Sequence, residues 1–207
     1  MSGGYELPNL LKKSDLETHM LFPTVVTTQT ELEEIYALNL RNLKQNLDSE
    51  EKNQEGFVTW LYEMPLLQEL HRQSPAIIAK DSETQQVVGY ALVALQESAP
   101  FHPDLADMIE HVRDIPYQGK TIADFTHYFM GQVCIDKAYR GKGIFRLLYE
   151  HHRTIYRDQY QLLITEISTA NIRSQKAHEK VGFRTIYSHT DPVDHWNVVA
   201  WDWNDPY

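Results

Sequence analysis

Phe125 to Ile135, Arg140 to Phe145, Gly143 to Arg157 and Leu162 to Ile167 read in order as strand, glycine loop, helix and strand. This order restricts the fold more than any other feature. Two strands joined through a helix cannot form a hairpin, so they lie parallel in one sheet with a right-handed crossover. The helix carries Ile144, Leu147, Leu148, His151 and Ile155 on one stripe. The second strand is a nearly continuous apolar run, the pattern of a strand covered on both faces.

The rest of the chain is built from hairpins and helices. Leu21 to Thr28 reads as a first strand, and Thr30 with Glu33 forms a capping box for a helix with Leu32, Ile35, Tyr36 and Leu40 on its inner face. Asp48 with Glu51 is a candidate cap for a short second piece. A further helix from Thr59 to Arg72 should bend at Pro65. Ala76–Asp81 and Val87–Ala94 flank a polar turn and form a hairpin. Residues 95–123 are irregular apart from a short helix at Asp104–Arg113. Asn171 to Val181 is a helix stopped by Gly182, and Phe183–Tyr187 and Trp196–Trp203 close the sheet. The expected architecture is a mixed α/β domain with a mostly antiparallel sheet of six or seven strands, one parallel pair and flanking helices. Residues 1–20 read as a leader, and 21–207 as a single domain with an insertion at about 95–123.

Composition removes several function classes. No apolar run approaches the length of a membrane span, and no basic stretch leads into an apolar one at the N-terminus. The single cysteine, Cys134, cannot form an internal disulfide. A net charge of −10 argues against a nucleic-acid partner and suits a cationic amine, although acidic charge also keeps soluble proteins apart. The expected location is cytoplasmic, and the sequence is compatible with a homodimer.

The loop Arg140-Gly141-Lys142-Gly143-Ile144-Phe145 opens a helix. The first N–H groups of a helix have no partners within it, and the helix dipole adds positive character there. Glycines let a ligand approach the backbone, and Arg140 and Lys142 add charge, so the loop suits a pyrophosphate. It is not a P-loop, because Ile144 follows Gly143 where Lys and then Ser or Thr belong. Nor is it a dinucleotide fingerprint, because Arg146 occupies the third glycine position.

This loop resembles the acetyl-CoA loop of the GNAT N-acetyltransferase family, Gln/Arg-x-x-Gly-x-Gly/Ala. Arg140 and Gly143 match it, and Phe145 departs from the final small residue. The approach Val133-Cys134-Ile135-Asp136-Lys137-Ala138-Tyr139 and the run Asn171-Ile172-Arg173-Ser174-Gln175-Lys176-Ala177-His178-Glu179-Lys180-Val181-Gly182-Phe183 also resemble that family. The likeness is strong over 128–187, follows the strand order back to about residue 21, and is silent for 95–123.

The resemblance implies an N-acetyltransferase that binds acetyl-CoA and an amine together, with pantetheine between two splayed parallel strands. It implies that backbone groups of Val133 and Ile135, flanking Cys134, hold the pantetheine arm, with an N–H near Val133 polarising the thioester carbonyl. It further implies that the backbone from Gly141 through Lys142, Gly143 and Ile144 to Phe145 holds the pyrophosphate, and that Asn171 meets pantetheine. Ser174 shares a helix face with Ala177, His178 and Val181 and is the remaining candidate on the CoA side. His178 stands where many members carry a tyrosine that protonates the departing thiolate; it is a candidate general acid or a core histidine that only hydrogen-bonds. Glu166 is the first candidate base, with a capping or surface role as its alternative; His127 and Tyr128 are weaker ones. Cys134 reads as packing rather than as a nucleophile. His189, Asp191, Asp194 and His195 match no metal-binding spacing, so no metal is expected. His151-His152 reads as a partly buried helix pair.

Three functions fit. The first is acetyl transfer to a primary amine of a small molecule or amino acid. The second is acetylation of a protein lysine or N-terminus. The third is an acyl-CoA-binding module without turnover. Residues 95–123, rich in carboxylates and aromatic rings, are expected to wall the acceptor site.

Overall fold

The computed structural model describes residues 20–47 and 57–204. The main sheet has seven strands: β1 (Leu21–Val25), β2 (Ile77–Asp81), β3 (Val87–Ala94), β6 (His127–Ile135), β7 (Leu162–Ser168), β8 (Arg184–Thr190) and β9 (His195–Asp202). Their order across the sheet is β1-β2-β3-β6-β7-β9-β8. Only β6 and β7 pair in parallel; every other neighbouring pair is antiparallel. A separate two-residue hairpin joins β4 (Pro116–Tyr117) to β5 (Lys120–Thr121).

Among the described residues, five α-helices cover the sheet: α1 (Gln29–Arg41), α2 (Met64–Gln73), α3 (Pro103–Arg113), α4 (Ile144–Tyr156) and α5 (Ile172–Val181). Alternation along the strands feeds two cores. On one face α1, α2 and α3 set Leu32, Ile35, Leu67, Leu105 and Met108 against Ile78, Tyr90, Phe129, Ile164 and Val198. On the other, α4 and α5 set Ile144, Leu148, Tyr149 and Val181 against Ile77, Ala91, Tyr128, Leu163 and Trp201. Each such side chain removed from water contributes on the order of 1.5–3 kcal/mol before chain entropy is counted.

Several local expectations are corrected. The capping box lies two residues earlier, at Thr28 and Glu31. Both Thr28 and Thr30 satisfy the pattern, and the inward position of Glu31 decides between them. Its carboxylate accepts from the Thr27 N–H at 2.7 Å, the Thr28 N–H at 3.0 Å and the Lys80 ammonium at 2.9 Å. Burial alone would raise its pKa, but these donors outweigh it and bring it down to about 2. Pro65 does not bend a helix. It stands in the first turn of α2, where a missing N–H costs nothing. The buried stripe of α4 is Ile144, Leu148, Tyr149, His152 and Tyr156, one residue around the helix from the expected stripe beyond Leu148. Beyond Leu148 the helix contributes rings with polar atoms to that core. So His152 is buried and His151 half-buried. Leu40 lies outside the α1 core, which takes Leu38 and Asn39 instead. The leader through residue 19 and the Asp48–Glu51 cap lie outside the described residues.

The parallel pair parts early. Residues His127, Tyr128 and Phe129 pair with Leu162, Leu163 and Ile164, and the ladder stops there. On the β3 side Ala91 pairs with Val133 and Val93 with Met130, so β6 carries one extra residue around Gly131 and Gln132. Such a bulge bends the strand. Thr165 Oγ1 donates to the Met130 carbonyl at 2.9 Å, supplying from a side chain what the missing ladder no longer gives.

One close approach ties β3 to the start of α4. A Cβ added at Gly89 would stand 3.1 Å from Ile144 Cγ2 and 3.3 Å from the Cys134 carbonyl oxygen. Gly89→Val should therefore cost about 1–3 kcal/mol of stability by overpacking. Chemical denaturation checks this, and wild-type stability would show that α4 can give way.

Candidate active site

The glycine loop has the geometry of an anion cradle. Gly143 is the N-cap of α4 at φ 81° and ψ 1°, with no side-chain cap, so the first N–H groups of α4 have no capping acceptor. Gly141 also has positive φ, 77°. A Cβ built on either glycine would meet no atom within 4 Å, so the space in front of the loop is open.

The loop side chains divide their work. Arg140 turns inward: its Nε donates to the Ile135 carbonyl at 3.1 Å and its guanidinium to Asn42 Oδ1 at 2.6 Å, fixing the loop to the end of β6 and to α1. Lys142 is exposed, with its ammonium 4.7 Å from the Tyr139 ring centre. Ile144 is buried against Gly89. The Phe145 ring packs 4.9 Å from both Tyr149 and His178, so its bulk goes into the protein and not across the cradle.

A cavity of about 90 Å³ lies where β6 and β7 part. Met130 to Val133 and Thr165 to Ser168 form its sides. Asn171, Ser174 and His178 line it from α5, and Trp60 and Met108 from the segment before α2 and from α3. His178 packs with rings of the α4 side, whereas Met108 belongs to the α3 side. The cavity therefore passes through the sheet. The structure brings together Val133, Glu166, Asn171, Ser174 and His178 around it. Cys134 points into the core on the α1 face and does not line the cavity, and burial there pushes its thiol up to about 12. His127 and Tyr128 lie on the paired part of β6 and do not line it. The His127 ring is held by the Phe125 carbonyl at 2.8 Å, and the Tyr128 hydroxyl meets His152 Nδ1 at 3.0 Å.

His178 is almost fully buried, and its hydrogen bonds define its tautomer. A carbonyl only accepts, so Nδ1 donates to the Ser174 carbonyl at 2.8 Å, and Nε2 accepts from the Tyr149 hydroxyl at 2.6 Å. Burial, partly offset by the Ser174 contact, brings its pKa down to about 4, so the ring is neutral at neutral pH. Asn171 caps α5 by accepting from the Ser174 N–H at 3.1 Å, and its amide donates to the Phe57 carbonyl, also at 3.1 Å.

Glu166 is the carboxylate of the cavity wall. Burial raises its pKa, and His189, whose Nε2 lies 3.1 Å from Oε1, opposes that rise. The polar cluster of the last hairpin disperses among separate partners. Asp194 takes Ser168 Oγ at 2.8 Å and Lys44 at 3.4 Å, and His195 meets Thr190. Among the described residues no group of His, Cys, Asp and Glu is gathered as a metal site, and no helix is long and apolar enough to cross a membrane.

Comparison with known proteins agrees with this geometry. The model of the Acetyltransferase (GNAT) family matches residues 32–183. The chain belongs to that family. Its fold is similar to the NatC complex bound to Gag peptide and CoA, at 13% identity over 88% of this chain and 98% of that one, with a TM-score of 0.59. It is similar to a GNAT-family acetyltransferase of Streptococcus agalactiae at 12% identity, 88% and 95% coverage and TM-score 0.58. It is also similar to the ribosomal-protein-S18-alanine N-acetyltransferase of Escherichia coli at 12%, 88% and 94%, and 0.55. No curated protein matches the chain. Membership of this acetyltransferase family makes the protein an acyltransferase with acetyl-CoA as cosubstrate.

Sequence reasoning missed Gly131, Gln132, Thr165, Trp60 and Tyr62. The Tyr62 hydroxyl donates to the Gly131 carbonyl at 3.0 Å, and Gln132 donates to the Trp60 carbonyl at 2.9 Å. The one available signal was a Gly-Gln pair inside an otherwise apolar strand, since an isolated strand glycine marks a bulge.

The buried Cys134 gives a direct check. Iodoacetamide at pH 8 should leave the folded protein unmodified by mass spectrometry, because a thiol held near 12 is almost wholly protonated there. Rapid alkylation would show that the thiol reaches solvent.

Proposed function

We propose that this protein transfers the acetyl group of acetyl-CoA to a primary amine of a small molecule or amino acid, with both substrates bound at once. The observation that carries the reading is the cavity through the sheet, which has the α5 cap on one side and Glu166 on the other. The Gly141–Phe145 backbone holds the pyrophosphate, Lys142 adds charge, and the unladdered β6 backbone near Val133 and Ile135 receives the pantetheine arm. Arg140 keeps the loop in place. Glu166 takes the ammonium proton from the acceptor, and the freed amine attacks the thioester carbonyl; the C–S bond breaks with its electrons on sulfur, and the departing CoA thiolate takes up, through solvent, the proton that the new amide nitrogen loses.

The segment Phe57–Trp60 favours a small acceptor over an extended peptide. It is hydrogen-bonded to Gln132 of β6 at Trp60 and to Asn171, beyond β7, at Phe57, so it spans the gap between the parted strands. A peptide acceptor needs an open groove at that place. Met108 of the 95–123 insertion supplies a further wall. The acidic net charge draws a cationic amine toward the protein.

The test follows free-thiol release from acetyl-CoA across a panel of amines, amino acids and peptide N-termini. Turnover with a small amine supports the reading. Turnover only with peptides assigns the second function, and CoA binding without release for any amine assigns a non-catalytic module.

Two substitutions probe the parts. Gly143→Val should abolish acetyl-CoA binding by calorimetry, because a β-branched residue is strained at φ 81° and its Cβ would enter the cradle. Unchanged affinity would remove the cradle from the mechanism. We read His178 as holding the Ser174 wall rather than donating to sulfur. His178→Phe should then lower stability by about 1–3 kcal/mol, since the Tyr149 hydroxyl and Ser174 carbonyl lose their partner. Turnover should fall by less than the ~10²–10⁴-fold that loss of a general acid costs. A fall in that range with an intact fold would make His178 the acid.

A further inference from the structure

Glu166 reaches its partner across an intervening strand. β9 lies between β7 and β8; Glu166 is opposite Val198, and His189 is opposite Trp196. The two side chains still meet, with Nε2 of His189 at 3.1 Å from Oε1 of Glu166, and both are largely buried (16% and 13% exposed). Among the described residues Glu166 Oε2 has no hydrogen-bond partner. One oxygen is thus engaged by the imidazole and the other left over.

His189 is held in turn from the insertion. The His111 ring of α3 lies 4.2 Å from the His189 ring, centre to centre, and 5.7 Å from Tyr187, which stacks on His189 at 6.3 Å. The titratable groups facing the pair are therefore His111 from α3 and Tyr187 and Asp191 from β8 and the turn after it. The register partners from β9, Val198 and Trp196, carry no titratable group. Burial and the proximity of His189 both lower the pKa of His111. Asp191 acts on Glu166 in the opposite sense to His189, favouring its neutral form.

We propose that His189 is the positioning residue for Glu166: it aims the carboxylate by binding Oε1 and is braced by His111 of the insertion. The inference rests on the reading of Glu166 as the base. In the step it serves, a lone pair on Oε2 takes a proton from the acceptor ammonium. The N–H bond breaks with its electrons left on nitrogen, and Glu166 becomes the neutral acid until solvent recovers the proton. A carboxylate this deeply buried would tend to stay protonated without such a partner and could not begin the step. The 95–123 segment then contributes to the chemistry as well as to the wall.

The sign is fixed by the chemistry. Removing His189 leaves Glu166 buried without its donor, so its titration midpoint rises. At a given pH fewer molecules carry the base form, and the acid limb of kcat/KM moves to higher pH. Carboxyl ¹³C NMR of glutamate-labelled protein reads this without any acceptor, with the Glu166 signal assigned as the one missing from Glu166→Gln. The expected result is a midpoint raised by about 1 pH unit in His189→Ala, with acetyl-CoA affinity unchanged. His189→Gln keeps a side-chain donor and should give a smaller rise; it also replaces the alanine variant if that fails to fold. An unchanged or lowered midpoint overturns the inference. Failure of the base reading would appear elsewhere, as wild-type thiol release by Glu166→Gln, whatever the NMR midpoints do.

Discussion

The parting of β6 from β7 after Phe129 and Ile164 is the constraint around which this molecule is arranged. Breaking a ladder in the middle of a sheet strips backbone groups of their partners, and buried backbone polar groups must be satisfied somewhere. The protein meets the demand with three side chains. Thr165 takes the Met130 carbonyl, Tyr62 the Gly131 carbonyl and Arg140 the Ile135 carbonyl; Gln132, on β6 itself, reaches out to the Trp60 carbonyl. A sheet opened in this way presents strand backbone to a ligand at its centre, which an intact sheet does only at its edges.

The loop and helix that follow β6 depend on that opening. Arg140 has a side chain suited to phosphate but spends it on the Ile135 carbonyl and Asn42, so the proposed anion site would rely on main-chain N–H groups, the open space at Gly141 and Gly143, and Lys142. Phe145 replaces the small residue of the family pattern without filling the cradle, because its ring finds a packed place between Tyr149 and His178.

What the sequence made legible follows from range. The glycine loop, the hairpin at Ser82–Gln86 and the Gly182 stop depend on neighbours a few residues apart, and they were readable. The parallel pair followed from strand, helix, strand. The α4 stripe was mis-phased by one residue beyond Leu148, because Leu147, His151 and Ile155 keep helical spacing as well as Tyr149, His152 and Tyr156 do; in the fold the latter three pair with His178, Tyr128 and Ser74. The capping box was read two residues late, at Thr30 and Glu33; Lys80, far along the chain, favours Glu31. Of the site, Val133, Glu166, Asn171, Ser174 and His178 were named from the chain, but the tautomer of His178 and the partner of Glu166 were not. Both depend on contacts between residues 23 to 29 positions apart, across a helix or a strand pair.

The extra residue in β6 separates two properties usually thought to travel together. Met130 and Val133 both face α4, and Phe129 and Cys134 both face α1, because the surplus at Gly131–Gln132 restores the alternation on either side of itself. A strand shorter by that one residue would keep every one of these side chains on its present face and could run on as an ordinary ladder. Chain length at this point is thus neutral for which core each side chain joins. A single codon deletion would leave both cores facing as they do and remove only the surplus whose groups meet Tyr62 and Trp60.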